Sequence, residues 1–220
     1  MTDTNTDLIE NPTPRCACML VLDVSHSMEG QKIAELNEGV KQFLREVRDD
    51  EFARYSIEMG VITFGGEVKE QLPLGPLPEL CTDFPAFGNT PMGEAVNAAI
   101  DALRKRKLEY KEKGVSYYQP WLVLMTDGMP TDNHAMVAEN LREAAGKKEV
   151  VVFGIGIGDE CDMDVLAEFC PADRPPKKLS GLKFKEFFAW LSQSMSRVSQ
   201  STPGTKTDLP PTTGWESIEP

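Results

Sequence analysis

Apolar residues in this chain fall into two kinds of stretch: short continuous runs, and longer segments in which they recur every three or four positions. Ala17 to Leu22 is a continuous run and reads as a buried strand, whereas Gln31 to Val47 places Ile33, Leu36, Val40, Phe43, Leu44 and Val47 on one helical face. Ile57 to Phe64 reads as a second strand, and Gly65-Gly66 turns the chain into a short third strand over Val68 to Leu72, which a hairpin makes antiparallel. Pro73, Pro76 and Pro78 argue against a regular element next, so Leu74 to Gly88 is expected as a surface loop. The helical period resumes from Pro91 through Leu103. It is followed by a strand at Trp121 to Met125, a helix at Asn133 to Ala145, a strand at Val150 to Ile157 and a short helix at Asp164 to Phe169. A last short strand at Lys177 to Leu179 precedes a helix from Phe184 to Val198.

Strands alternating with helices predict a doubly wound α/β fold: a mostly parallel sheet with one antiparallel edge strand, in three α/β/α layers. The expected organisation is a polar N-terminal tail at 1–14, one domain at 15–200, and a Pro/Thr-rich C-terminal tail at 201–220. Docking of that tail on the domain is open, with Trp215 as the candidate anchor.

Composition narrows the function classes. A net charge of −12 argues against direct nucleic-acid binding, and the basic run Arg104-Lys105-Arg106-Lys107 reads as a solvated helix face beside Glu109 and Glu112. No Gly-Lys-Ser or Gly-Lys-Thr supplies a phosphate loop, and no membrane span is visible. The polar, acidic start lacks the basic and apolar regions of a secretory signal. Cys16, Cys18, Cys81, Cys161 and Cys170, odd in number and scattered, read as reduced thiols, so a cytoplasmic setting is expected.

The candidate chemistry lies where strands end. Asp23, Ser25 and Ser27 follow the first strand at every second position, and a chain turning off its carboxyl end can converge them on one point. Alone, they serve equally well as a helix cap. Thr90, on a loop before a helix, and Asp127, after the strand ending at Met125, belong at the same sheet edge, giving two carboxylates and three hydroxyls suited to a hard divalent cation. His26 alternates away from this set. Cys16-x-Cys18 lacks a second pair at zinc spacing and reads as core thiols, and His134 reads as a surface residue.

Asp23-x-Ser25-x-Ser27, then Thr90, then Asp127-Gly128 resembles the metal-ion-dependent adhesion site of von Willebrand factor type A domains, over roughly residues 15 to 200. The resemblance implies that Ser25 and Ser27 bind the ion directly, that Asp23 and Asp127 hold it largely through water, and that Thr90 does either. It implies magnesium, with manganese or calcium as alternatives, and a free position completed by an Asp or Glu of a partner protein. More narrowly, Thr126-Asp127-Gly128-x-Pro130-Thr131-Asp132, the aromatic-rich last helix and Gly214-Trp215 resemble the bacterial stand-alone TerY/YegL-like subgroup. That subgroup implies a stress-response or tellurium-resistance assembly with kinase-like or phosphatase-like partners.

Two other classes remain open at this point. A strand ending in Asp23 beside a magnesium site is similar to phosphoryl-transfer hydrolases of the haloacid dehalogenase type, but those place a second acid where this chain has Ser25. No Ser-His-Asp set replaces it, so a non-enzyme is expected. The third class is a structural or regulatory subunit that works without metal.

Overall fold

The computed structural model describes residues 11–79 and 82–217, so Cys81 and the first ten residues lie outside the described part. Its order is β1 (Cys16–Asp23), α1 (Gln31–Asp49), α2 (Ala53–Ser56), β2 (Ile57–Gly65), β3 (Glu67–Pro76), α3 (Met92–Glu112), β4 (Trp121–Thr126), α4 (Ala135–Gly146), β5 (Val151–Gly156), α5 (Met163–Ala167), β6 (Lys177–Lys178) and α6 (Phe184–Ser199). The six strands form one sheet in the order β3-β2-β1-β4-β5-β6, parallel except for the β2–β3 hairpin. This is the doubly wound arrangement expected from the alternation of elements.

β1 lies at the centre and all eight of its residues are buried. Its alternation feeds two cores. Cys16, Cys18, Leu20 and Leu22 join the face covered by α1 and α6, while Ala17, Met19 and Val21 join the face covered by α3 and α4. Each buried Leu or Val contributes about 1.5–3 kcal/mol, so β1 is a firmly fixed element on which a site could be mounted. On the first face α1 and α6 touch closely: a Cβ added at Gly39 would lie 2.3 Å from the Phe188 ring.

The chain departs from expectation after β2. β3 continues to Pro76 instead of stopping at Leu72. An edge strand needs its N–H groups on one side only, so prolines are tolerated there. The register confirms the accommodation: Val61 pairs with Leu72 but Met59 with Gly75, so Pro73 and Leu74 fall within a bulge. The loop that follows is tied down at Phe84, which is buried and exchanges backbone hydrogen bonds with the Asn37 side chain at 3.0 and 2.9 Å.

The basic run on α3 also differs from a simple solvated face. Arg104 and Lys105 are exposed, but Arg106 turns inward and forks onto Glu58 of β2 at 2.6 and 2.7 Å. The Tyr110 hydroxyl donates to the same carboxylate at 2.6 Å, and Arg15 lies 3.6 Å from it. Burial, then the Glu58 charge, push the Tyr110 phenol far above its ordinary range. It therefore stays protonated as a donor.

After α6 the chain returns across the sheet edge. Trp215 is 1% exposed and packs against Phe187 and Trp190, with ring centroids 5.0 and 5.3 Å away. Ser180 N–H donates to the Trp215 carbonyl at 2.7 Å, and Lys177 pairs with Glu216 at 2.6 Å beside β6. Burial alone would raise the Glu216 pKa, but the bonds from Lys177 and Thr212 outweigh it and hold the carboxyl below its ordinary range. A carboxyl with a lowered folded pKa adds stability that is complete above the unfolded value, about 4.3, and is lost as pH falls through the folded value. Acid titration below that point should therefore loosen the Trp215 contact, read as a change in tryptophan fluorescence. Glu216→Gln should remove this pH-dependent step, and a step of the same size in the variant would contradict the assignment.

Candidate metal centre

The sheet order reverses at β1: the chain goes from β1 to β2 on one side and later reaches β4 on the other. The crevice beyond the carboxyl ends of β1 and β4 is the switch point at which such sheets bind ligands. Asp23 ends β1, and Asp127 immediately follows β4.

The β1 exit is shaped by local bonds. Ser25 is extended, its N–H donates to Asp23 Oδ1 at 2.8 Å, and a single 3₁₀ turn at His26–Met28 is closed by Met28 N–H on the Ser25 carbonyl at 3.0 Å. Met28 is fully buried and pins that turn, which leaves Ser27 exposed. The Ser25 and Ser27 hydroxyls are 3.0 Å apart, and Ser27 Oγ donates to Asp127 Oδ1 at 2.6 Å. Asp23 Oδ2 accepts from the Thr126 hydroxyl at 2.6 Å. His26 points outward, 76% exposed, toward Glu29. His134 stacks on Phe169 and contacts Glu168, away from this set.

Thr90 arrives on a loop stitched to both neighbours. Phe87 N–H donates to the Val24 carbonyl at 2.8 Å, His26 N–H to Gly88 at 3.0 Å and Gly66 N–H to Asn89 at 2.8 Å. Gly66 and Gly88 both hold φ near +70°, and a Cβ on Gly88 would sit 2.4 Å from the Gly66 Cα, so only glycine permits this crossing. On its other side Thr90 exchanges bonds with Thr131, N–H to Oγ1 at 3.1 Å and Thr131 N–H to the Thr90 carbonyl at 2.9 Å.

Thr126, Thr131, Asp132 and Lys32, to which no spacing in the sequence gives a structural role, also build the site. Asp132 accepts from Gly93 N–H at 3.1 Å and Glu94 N–H at 2.8 Å, so it caps α3 from another segment. The signal was present in Thr131-Asp132, but a cap that bridges 38 positions has no local spacing to reveal it. Asp132→Ala is expected to cost about 1 kcal/mol in chemical denaturation. No change in stability would show that the cap contributes nothing.

The donor set fits a hard divalent cation. It contains oxygens only, two of them from buried carboxylates, and the Ser27 and Thr90 hydroxyls flank Gly128, where an added Cβ would lie 3.9 Å from each. Burial raises the Asp23 pKa, opposed by the bonds from Ser25 and Thr126 and assisted by the charge of Asp127. A cation at this edge would offset both the cost of burying the carboxylate and its repulsion by Asp127. Among the described residues no three His, Cys, Asp or Glu side chains cluster as metal ligands, so any ion here depends on hydroxyls as much as on carboxylates. Cys16, Cys18, Cys161 and Cys170 are buried free thiols, and burial pushes Cys16 up to about 12 and Cys161 and Cys170 up to about 11. They are inert as nucleophiles. Among the described residues no helix is long and apolar enough to cross a membrane.

A doubly wound sheet with an oxygen-lined crevice at its switch point defines an α/β protein with a cluster of oxygen donors at the carboxyl edge. The von Willebrand factor type A domain model matches residues 18–180, and the chain belongs to that family, whose members include metal-binding modules of protein interaction. It is 25% identical over 154 residues to inter-alpha-trypsin inhibitor heavy chain H1 of Bos taurus, covering 67% of this chain but only 17% of that protein. Among solved structures it is similar to a von Willebrand factor type A protein from Catenulispora acidiphila, with TM-score 0.66 and 16% identity over 84% of this chain and 43% of the other. Proximal thread matrix protein 1 from the mussel byssus, solved with zinc in its adhesion-site motif, matches with TM-score 0.53 and 18% identity over 86% of this chain and 46% of the other. These structural likenesses establish the fold.

Proposed function

We propose that this chain is a divalent-metal-dependent protein-docking module. Asp23, Ser25, Ser27, Thr90 and Asp127 hold the ion, and a partner's Asp or Glu completes its shell. The carrying observation is the bonded chain Ser25–Ser27–Asp127, with the Thr90 hydroxyl facing Ser27 across Gly128 on an edge where Ser27 is exposed. Two carboxylates about neutralise a divalent ion, so the loaded site still attracts an acidic group. Magnesium suits the oxygen set, with manganese and calcium as alternatives, and the zinc in the mussel protein adds a further ion to test.

The reading extends to a cytoplasmic, non-enzymatic role in a TerY-like stress-response or tellurium-resistance assembly with kinase-like or phosphatase-like partners. Its support is the Thr126 to Asp132 motif, whose Thr131 and Asp132 fix Thr90 and α3. The non-enzymatic part rests on Ser25 standing where a hydrolase of this layout needs an acid.

Affinity capture tests the reading directly. Wild type in magnesium is expected to retain proteins that are released by chelator and absent with Asp23→Ala plus Ser25→Ala. An identical set in all three conditions would overturn it.

A further inference from the structure

Lys32 lies in the first turn of α1, and its ammonium reaches into the site, 2.6 Å from Asp127 Oδ2 and 3.3 Å from the Ser27 carbonyl. The other Asp127 oxygen accepts from Ser27, so both oxygens of this buried carboxylate are engaged. The lysine stem runs past Gly158, where an added Cβ would meet Cε at 3.7 Å and Nζ at 3.8 Å. With 24% of its side chain exposed, Lys32 has an open path back to solvent.

We infer that Lys32 is a built-in competing cation, which neutralises Asp127 when the site is free of metal and withdraws when a divalent ion binds. The inference rests on the cation site proposed above. Two buried carboxylates close enough for the charge of one to raise the pKa of the other are unfavourable without a positive charge, and the ammonium supplies one from within the chain. An ammonium touching Asp127 and a divalent ion held by the same carboxylate repel strongly in this partly desolvated crevice, so the two occupy Asp127 in turn. Lys32 therefore lowers metal affinity below what the five oxygen ligands alone would give. The site fills only when free metal is high enough to displace it.

The test is calorimetric titration of the full chain with manganese, for wild type, Lys32→Met and Lys32→Gln, with thermal melts of each without metal. Methionine keeps the apolar stem, and glutamine keeps a hydrogen-bond donor without the charge. Both variants are expected to bind manganese about tenfold more tightly and to melt lower than wild type without metal. Tighter binding in methionine alone would assign the competition to the donor rather than the charge and overturn the inference. Unchanged or weaker binding in both variants, with wild type binding normally, would also overturn it and leave the docking site standing. Binding by the variants but not by wild type would support it in its strongest form. Absence of binding in all three proteins would remove both the site and the inference.

Discussion

Arg106→Ala is expected to destabilise the fold by about 3–5 kcal/mol, read as a lower denaturation midpoint with little change in slope. The side chain is 5% exposed and forks onto Glu58, itself 2% exposed. Alanine would leave the Glu58 carboxylate buried, with the Tyr110 hydroxyl donating to it and Arg15 3.6 Å away. The cost comes mainly from leaving this buried carboxylate short of hydrogen-bond donors, with Arg15 at 3.6 Å as its neighbouring cation. Burial alone would depress the Arg106 pKa, but the bonds and charge of Glu58 hold it above its ordinary value, so the guanidinium stays charged. A loss below about 1 kcal/mol for Arg106→Ala would contradict this account, because that is the range of an exposed pair.

Asp127→Asn is expected to lower divalent-metal affinity by at least about 100-fold while leaving the fold intact by circular dichroism. Changes to groups that orient metal ligands cost about 10–100-fold, and Asp127, holding the ion largely through water, also supplies half of the charge that balances it. Asparagine keeps the shape and can still accept from Ser27, so the loss isolates the charge. Asp127 is one of only two carboxylates in the set, and removing it leaves Asp23 alone to balance a divalent ion. Affinity within a few-fold of wild type would mean that the ion is held elsewhere.

The sheet and its helices were legible because their signals are local: β1 is apolar throughout, and α1 repeats its apolar face at helical spacing. The β3 boundary was not, since the prolines that stop most strands are harmless on an edge opposite a bulge. Arg106 looked like its neighbours in the run because its partner Glu58 lies 48 positions away on another element. Trp215 stood out as a candidate anchor, but its docking stayed open because the rings that receive it, Phe187 and Trp190, lie on another element.

The five residues singled out for the site lie at one sheet edge because strand alternation and the order of elements place strand ends there. Their supporting groups were hidden for the opposite reason. Thr126 sits within a strand that reads as core, and Lys32 reads as an ordinary residue of a helix's first turn, although each touches a site carboxylate. Contacts between segments about a hundred positions apart leave no spacing to recognise.

Calorimetric titration of the wild-type chain with magnesium and manganese, beside Asp23→Ala plus Ser25→Ala, tests the central claim most directly. Saturable binding of one ion per wild-type chain below about millimolar metal, abolished in the double variant, is the predicted result. No heat of binding from wild type, or equal binding by the double variant, would contradict it.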